Sequence, residues 1–394
     1  MREDQSMTAR HRPQPIEIET LADFDRLTAD RKDLSGWQIQ GLDLTGRDQI
    51  LRQTHPTGAL FLGCTLPEDT ADWLRRHGAL LFPKVPDLPF DPYRAHLYTG
   101  PELYAGLGSS YDATPDAQIY AWWRADGRSL TKTLAESLHD HSIDDALDEW
   151  VAGRRIVGVM GGHATQRGTS DYADAARLGA ELARGGLSVA TGGGPGSMEA
   201  ANLGARLCDL DDHDLQQALD ALAKTPDFTQ VAAWAEAALD LAQLHPDSGL
   251  SLGIPTWYYG HEPPNPFASQ IAKYFRNALR EDILLSICNA GVVFLPGSAG
   301  TVQEIFQAAC KVYYAAPGSD FAMVLVGHEY WTEVLPAWSL LNALGQGHPM
   351  SETNLPGRRR RSRSARSCWL TPLADRPVSA LAQAGHPEAG RSPG

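Results

Sequence analysis

From residue 154 onward, short runs that are wholly apolar alternate with longer amphipathic stretches. The first run, IVGVM, ends in two glycines and precedes SDYADAARLGAELARGG, whose apolar positions recur every three to four residues. Buried strands of parallel sheets are continuous apolar runs, and a period near 3.6 residues indicates an amphipathic helix. The pattern therefore predicts a strand, a turn and a helix, with Ser170 as the N-cap and Gly185 with Gly186 as a left-handed stop.

The same alternation continues further along the chain. LSVAT, LSLGIP, GVVFLP and FAMVLVG have the signature of buried strands, and each is followed by a loop and a helical pattern. Successive β-loop-α units predict an α/β fold over residues 151–348, a Rossmann-like, doubly wound parallel sheet with helices on both faces. Residues 209–245 have helical periodicity without a strand and are expected to form a helical insertion in this domain.

The remaining segments have other patterns. Residues 15–150 combine an IEIE strand signal, the helix candidate LADFDRLTAD and two apolar runs bounded by glycine and proline, which predicts a smaller N-terminal accessory α+β domain. Residues 1–14 carry charge and proline without an apolar period, so we expect a flexible arm. Residues 349–394, rich in arginine, proline and glycine, are expected to be a disordered tail.

Composition narrows the possible partners. With 394 residues, 43% of them hydrophobic, the chain can bury a sizeable core, and its 48 acidic against 34 basic residues give a net charge of −14. A chain of this charge repels nucleic acid and anionic membranes, so any phosphate must be bound by a local group of hydrogen-bond donors or positive charges. Six of the nine residues 358–366 are arginine. Three interpretations of this tail are open: a weak contact with RNA or lipid, a solvated tail, or an altered reading frame. We favour an interpretation in which the tail has no function.

Cysteine and hydropathy patterns indicate the compartment. The five cysteines form no CxxC pair, which argues against a disulfide scaffold and a zinc site, and we expect no metal. The polar N-terminus is followed by no apolar run, and nowhere do eighteen uncharged apolar residues follow one another. A cytoplasmic location is therefore expected.

The candidate chemistry lies in glycine-rich loops. Ligands of open parallel sheets bind beyond the carboxyl ends of the strands. Two loops there, TGGGPGSM at 191–198 and PGSAGTVQE at 296–304, carry glycines immediately before a helix. Such glycines let the backbone approach a ligand, and a helix start presents unpaired N–H groups, so these loops predict a phosphate cradle. The chain has no Gly-Lys pair for a P-loop, and Ser197 stands where a dinucleotide fingerprint needs its last glycine.

These motifs together resemble a known family. GGHATQRGTSDYADAARLGAELARGG, GGGPGSMEAANLGA and GVVFLPGSAGTVQE are similar to the LOG-type nucleotide phosphoribohydrolases, also known as lysine-decarboxylase-like proteins, whose hallmark is PGGxGTxxE. The hallmark is present here except for Ser298, which stands where glycine is usual. The similarity spans residues 154–344. The segment before residue 150 and the helical insertion are similar to the longer bacterial members, which cleave purine and pyrimidine 5′-monophosphates.

The resemblance implies hydrolysis of the N-glycosidic bond of a nucleoside 5′-monophosphate to free base and ribose 5-phosphate. Positive charge develops on the sugar in such a transition state, so a carboxylate beside the ribose stabilises it. Glu304 is the candidate because it lies in the first turn of a helix that begins at the cradle. The alternative for Glu304 is stabilisation of the helix start alone.

The family also has an arginine on the preceding helix. Counting back from PGSAGT places it within one residue of Arg280, and Arg276 is held in reserve. Both lie on a helix antiparallel to the following strand, roughly 10 Å and 16 Å above Ile287, so either side chain reaches the ligand face. A guanidinium grips phosphate bidentately and stays charged at every relevant pH, whereas its alternative role is a surface ion pair.

Other binding residues follow from position in the loops. Gly297, Ser298, Gly300 and Thr301 are expected to bind the 5′-phosphate, and Gly193, Gly194 and Met198 to contact the nucleotide from the neighbouring strand. Gly161, Gly162 and His163 are expected to line the remaining wall, with His163 either donating to the phosphate or capping a turn. We expect no cofactor, a purine monophosphate substrate and a homo-oligomer. The alternatives are a non-catalytic nucleotide-binding, carrier or sensor protein on the same fold, or a scaffold whose N-terminal domain recognises a partner.

Overall fold

The computed structural model describes residues 16–125, 127, 129–246, 248–258, 262–315 and 321–348. The predicted arm 1–14 and the predicted tail 349–394 lie outside these residues.

The chain divides into two compact units. Among the described residues, the first comprises residues 16–95 and 129–142, and the second comprises residues 96–127 and those from 143 to 348. The sequence pattern placed one division near residue 150, but the chain enters the second unit earlier, where Tyr98 pairs with Ile271. This contact is formed by residues far apart in sequence, so no local pattern signals it.

The first unit is a four-stranded sheet in the order β1-β2-β3-β4, with every pair of neighbours parallel. Its elements are β1 Ile16–Ile18, α1 Leu21–Asp30, β2 Trp37–Gln40, α2 Asp48–Arg52, β3 Leu60–Leu62, α3 Glu68–Arg76 and β4 Leu80–Phe82. Its core is formed by apolar side chains from both the strands and the helices, among them Ile18, Phe24, Trp37, Phe61 and Leu74. The helix and strands expected from LADFDRLTAD, IEIE and the two later apolar runs are present, and β2 is an additional strand.

The second unit holds the larger sheet. Its strands are β5 Ile156–Met160, β6 Ser188–Thr191, β7 Ser251–Gly253, β8 Gln270–Ile271, β9 Gly291–Phe294 and β10 Met323–Leu325. Its helices are α4 Gly100–Leu103, α5 Pro115–Arg124, α7 Ser170–Arg184, α8 Ser197–Arg206, α9 Asp212–Leu222, α10 Val231–Leu244, α11 Asn277–Ile287, α12 Ala299–Tyr313 and α13 Ala337–Gly345. The long helix α6, Leu130–Val151, begins in residues of the first unit and ends in residues of the second.

The six strands are ordered β10-β9-β5-β6-β7-β8 and all neighbours pair in parallel. The central strand β5 is buried along its whole length and pairs Val157 with both Val189 and Gly291. Parallel strands that are buried on both faces need helices on both sides, which explains the continuous apolar runs. The predicted α/β, Rossmann-like fold class is confirmed.

Local capping differs from the prediction at α7. Thr169, not Ser170, is the N-cap, because the Thr169 hydroxyl accepts the Tyr172 N–H at 3.3 Å while Ser170 is already helical. At the other end, Gly186 has the left-handed φ of +75°, whereas the C-cap Gly185 has a φ of −74°. Only one of the two glycines is therefore required by backbone conformation.

The helical insertion is present as α9 and α10. Asp211 caps α9 by accepting the N–H groups of His213 and Asp214, each at 2.9 Å, which accounts for the acidic start of this segment. Among the described helices, none combines the length and the hydropathy required to cross a bilayer.

Candidate functional site

The strand order fixes where a ligand is expected to bind. From β5 the chain progresses through β6 and β7 to β8, whereas β9 and β10 lie on the other side of β5. The order in which strands are added thus reverses between β5 and β9. The loops that follow these two strands lead away from each other and leave a crevice between them. Such a topological switch point is the usual binding crevice of an open α/β sheet.

A cavity of about 440 Å³ occupies this crevice. It is bounded by the loop after β5, the loop after β9, the start of α7 and one aromatic side chain; the lining residues are Gly162, His163, Ala164, Thr165, Gln166, Thr169, Asp171, Pro296, Gly297, Ser298 and Tyr330. We call this cavity the switch-point cavity. Its volume falls within the range of sites that hold small molecules, roughly 300–1,000 Å³.

The loop after β9, which the sequence predicts to be a phosphate cradle, leads directly into the start of α12. Tyr330 donates its hydroxyl to the Gly297 carbonyl at 2.8 Å, which holds the loop from the side of the cavity. Ser298 is the N-cap of α12 but makes no side-chain capping bond. Because the first N–H groups of a helix have no partner within it, the start of α12 presents donors and a partial positive charge towards an anion.

The glycines of this loop have different roles. A Cβ at Gly297 would overlap the Thr301 hydroxyl, so glycine is required here by packing. A Cβ at Gly300 would meet nothing within 4 Å, and Gly300 is exposed at the start of α12. Folding therefore does not require glycine at position 300.

The loop after β5 packs closely against both neighbouring loops. Gly162 donates its N–H to the Pro296 carbonyl at 3.1 Å and accepts the Ser197 N–H at 3.1 Å. A Cβ at Gly161 would lie 2.8 Å from the Ser197 Cβ, so Gly161 is a packing position. Gly162 and His163 line the switch-point cavity, while Gly161 is not among its lining residues.

His163 has a partner that the sequence did not indicate. Its Nδ1 lies 3.3 Å from Glu262 Oε1, and the His163 side chain is 45% exposed. Glu262 lies in turn close to the glycine loop after β6, because a Cβ at Gly194 would be 3.6 Å from Glu262 Oε2. The His163 and Glu262 side chains therefore link the loop after β5 to the segment that follows β7.

The glycine loop after β6 is held by protein contacts. Asn265 donates its N–H to the Gly193 carbonyl at 2.8 Å and its Nδ2 to the Gly194 carbonyl at 3.2 Å. Gly193 has a φ of +71°, and a Cβ added there would lie 2.6 Å from Pro255 Cδ. Gly196 has a φ of +77°, and a Cβ added there would lie 2.5 Å from the Gly162 carbonyl oxygen. Both positions require glycine for conformational as well as steric reasons.

Arg280 and Glu304 form a buried ion pair next to the glycine loop after β6. Arg280 Nη1 lies 3.3 Å from Glu304 Oε1, and their side chains are only 11% and 12% exposed. The other end of the guanidinium faces the glycine loop, since a Cβ at Gly192 would be 3.2 Å from Arg280 Nη2 and 2.8 Å from Met198 Sδ. Arg280 Nε is buried without a hydrogen-bond partner among the described residues. A buried donor of this kind has unused capacity for a ligand or a water.

Burial controls the charge of Glu304. Desolvation raises the pKa of the Glu304 carboxyl above its ordinary value, Arg280 opposes this shift, and Glu281 adds to it. Glu281 is itself held in place by Asn277, which donates to it at 2.7 Å, and by Gln303. A carboxylate that is desolvated beside an arginine is typical of functional sites, although structural ion pairs share this environment.

The predicted site residues thus form two groups that meet at the start of α12. Gly162, His163, Gly297 and Ser298 line the switch-point cavity. Arg280 and Met198 lie beside Gly192, and Arg280 pairs with Glu304. Neither Arg280 nor Glu304 is among the lining residues of that cavity. Thr301 connects the groups, because it contacts Gly297 and precedes Glu304 by one helical turn. Arg276 is the exposed N-cap of α11, one turn before Arg280.

Comparison with known families gives a match within the second unit. Residues 154–209, which contain β5, α7, β6 and α8, match the model of the SLOG cluster4 family. The SLOG superfamily includes the LOG-type proteins, so the predicted resemblance is confirmed at this level.

Solved structures with detectable similarity are distant. The molybdenum cofactor binding protein from the phototrophic bacterium Rippkaea orientalis is 19% identical, with 50% of this chain and 88% of that chain covered and a TM-score of 0.32. The molybdenum cofactor carrier protein from Chlamydomonas reinhardtii is 19% identical, with 50% and 87% covered and a TM-score of 0.28. No curated protein matches the chain significantly.

Proposed function

We propose that the second unit hydrolyses the N-glycosidic bond of nucleoside 5′-monophosphates, releasing free base and ribose 5-phosphate. The observation that carries the proposal is the buried Arg280–Glu304 pair, placed one helical turn from an uncapped helix start at the switch point of the sheet. The resemblance to LOG-type proteins supports the same reaction.

The phosphate is anchored at the start of α12 in this proposal. The N–H groups of Gly297, Ser298, Gly300 and Thr301, and the Thr301 hydroxyl, are the donors proposed for it. Helix N-termini bind phosphate because their N–H groups and the helix dipole both favour an anion. The Ser298 side chain is compatible with this role, since this residue is exposed and its side chain makes no capping bond.

Glu304 acts on the sugar. When the bond between C1′ and the base breaks, the electron pair leaves with the base and positive charge develops on the ribose. The ionised Glu304 carboxylate stabilises that charge, water adds to C1′, and the base takes up a proton. Arg280 holds Glu304 in place and favours its ionised form against the effect of burial, and its unpaired Nε is a donor for the substrate.

The substrate and assembly follow from the same resemblance. We propose purine monophosphates such as AMP and GMP as substrates, with Gly193, Gly194 and Met198 beside the nucleotide. We further propose a homo-oligomeric, cytoplasmic enzyme that uses no cofactor.

The test is release of free base. The purified full-length protein is incubated with a panel of nucleoside monophosphates, and released base is measured by chromatography. We expect base from at least one purine monophosphate and a fall by a factor of about 10² to 10³ in Glu304→Gln, the loss typical for removal of one charge-stabilising group. Glu236→Gln, an exposed glutamate on α10, is the matched control and is expected to retain full activity. Absence of base release from every monophosphate would contradict the proposal.

A second candidate is a nucleotide carrier or sensor on the same fold. It is favoured by the switch-point cavity, which Arg280 and Glu304 do not line, and by the direct pairing of these two side chains. In that case nucleotide binds without turnover, and Glu304→Gln leaves its affinity almost unchanged.

A further inference from the structure

A second cavity lies behind the loop after β5, on the side of the helical insertion. It has a volume of about 280 Å³ and lies between the start of α8 and the segment that joins α9 to α10; the lining residues are His163, Ala164, Thr165, Gln166, Pro195, Gly196, Glu199, Pro226, Asp227, Phe228, Thr229 and Trp234. We call it the insertion cavity. It shares only residues 163–166 with the switch-point cavity, so the two cavities lie on either side of this loop.

Glu199, which lines the insertion cavity, forms a buried ion pair with Arg167 behind it. Arg167 Nη2 lies 2.6 Å from Glu199 Oε1, and each side chain is 1% exposed. Arg167 also donates to the Thr225 hydroxyl at 3.0 Å and to the Trp234 carbonyl at 3.1 Å. A fully buried ion pair brings little net stability because desolvation opposes it, but the loss of one partner would leave a buried charge unpaired. The pair neutralises Glu199 and ties the insertion to the loop after β5.

An aromatic ring and a carboxylate lie next to each other on the insertion side. Phe228 is half-buried and packs edge-on against Trp234, with ring centroids 6.4 Å apart. Asp227 Oδ1 accepts the Thr229 N–H at 2.9 Å and the Thr229 hydroxyl at 2.5 Å. These bonds hold the pKa of Asp227 below its ordinary value, so the group stays ionised. Its second oxygen remains as an acceptor.

The charge and size of the insertion cavity define the ligand. Arg167 is used by Glu199, so Asp227 leaves the lining with a negative charge that repels phosphate. The volume of about 280 Å³ is below the usual range for a whole nucleotide-sized ligand and suits one ring system. An aromatic ring stacks on a planar heterocycle, and a carboxylate accepts adjacent N–H donors.

We propose that the insertion cavity is a binding site for a purine base with adjacent N–H donors, of the guanine type, distinct from the phosphate site. Phe228 stacks on the ring, and Asp227 accepts the N–H groups of its edge. This site does not depend on the proposed hydrolysis.

The test is equilibrium dialysis of the full-length wild-type protein with labelled guanine, guanosine and adenine, none of which carries the 5′-phosphate of the proposed substrates. We expect guanine to bind more tightly than adenine, because adenine lacks an edge with two adjacent N–H donors. The measurement with guanosine shows whether the site accepts a base with an attached sugar. Asp227→Asn is expected to weaken guanine binding about tenfold or more while changing adenine binding less than about twofold, because a hydrogen bond to a charged group is lost only for guanine. Phe228→Leu is expected to weaken both bases by a factor of about five or more, since stacking is lost.

Asp171→Asn is the matched control, because Asp171 lines only the switch-point cavity. It is expected to leave guanine affinity unchanged, as is added inorganic phosphate. The proposal is overturned if guanine does not bind, if Asp227→Asn and Phe228→Leu both bind it normally, or if Asp171→Asn or phosphate abolishes binding. Thermal unfolding of each variant shows whether a loss of binding reflects loss of the fold.

Discussion

At the scale of single residues, the proposed activity depends on Arg280 and Glu304. Both are predictions from the sequence: Glu304 from its place in the PGSAGTVQE motif, and Arg280 from the position of the arginine in the LOG-type family. It did not reach Glu262, Tyr330 or Gly192, which contribute through contacts between distant segments and belong to no local pattern. The sequence left two roles open for His163, donation to the phosphate or capping of a turn. The structure shows a third, its pairing with Glu262.

The choice between the two arginines leads to a matched prediction. Arg280→Lys should lower kcat/KM for a nucleoside monophosphate by a factor of about ten to one hundred, because an ammonium cannot reproduce the planar contacts of a guanidinium. Arg276→Lys, one turn earlier and exposed, should change it less than about twofold. Steady-state kinetics of both variants is the measurement. Equal losses in the two would mean that Arg280 has no special place in the site.

The ionisation of Glu304 predicts a pH dependence. The reaction requires the carboxylate, so base release should fall as the pH decreases through the pKa of Glu304. Because burial raises that pKa above the ordinary 4.5, the fall should begin at a higher pH than for an exposed glutamate. A pH profile of kcat shows this limb for the wild type and not for the residual activity of Glu304→Gln. An unchanged acidic limb in the variant would assign the titration to another group.

At the scale of secondary structure elements, the glycine turns were predictable, but the reason for each glycine was not. The sequence suggested a ligand for all of them. In the structure the two kinds of position differ. Gly196 has a φ of +77°, and a Cβ added there would meet the Gly162 carbonyl, whereas a Cβ added at Gly300 would meet nothing within 4 Å. Elements with strong periodicity, such as α1 and β5, were predicted well, whereas the two-residue strand β8 is too short to leave a pattern.

This difference predicts opposite effects of alanine. Gly196→Ala should lower the free energy of unfolding by more than about 2 kcal/mol, because it combines a positive φ with a steric overlap. Gly300→Ala, at an exposed helical position, should leave that free energy unchanged or raise it by about 0.5–1 kcal/mol. Urea denaturation followed by circular dichroism gives both values.

The same Gly300→Ala protein should bind nucleoside monophosphates more weakly, because only a bound phosphate brings atoms close to this Cα. Isothermal titration calorimetry with AMP measures this effect. Wild-type affinity in a stable Gly300→Ala protein would argue against a phosphate at the start of α12.

At the scale of the whole molecule, the fold class was predictable and the strand order was not. Alternating strands and helices indicate a parallel sheet, but the place where winding reverses depends on the α11 crossover, which carries the chain from β8 at one edge to β9 beside β5. The switch-point cavity follows from that crossover. In the first unit, the short apolar runs gave no sign that all four strands would be parallel.

The proposed oligomer makes a prediction at this scale. Apolar side chains are unusually exposed on the adjoining elements near the end of the described chain, with Tyr314 84%, Val334 65% and Leu340 61% exposed. Contiguous exposed apolar patches mark interfaces, and we propose that these side chains contribute to one between copies of the chain. Light scattering coupled to size exclusion should give a multiple of 42.8 kDa, and Leu340→Glu should shift the protein towards the monomer. A wild-type mass of one chain at micromolar concentration would contradict the oligomer.

The most direct test of the central claim is a crystal structure of Glu304→Gln soaked with a nucleoside 5′-monophosphate. We predict that its 5′-phosphate accepts hydrogen bonds from the amides of residues 297–301 and that its C1′ faces position 304. Phosphate density at another place, or a ribose turned away from position 304, would contradict the account.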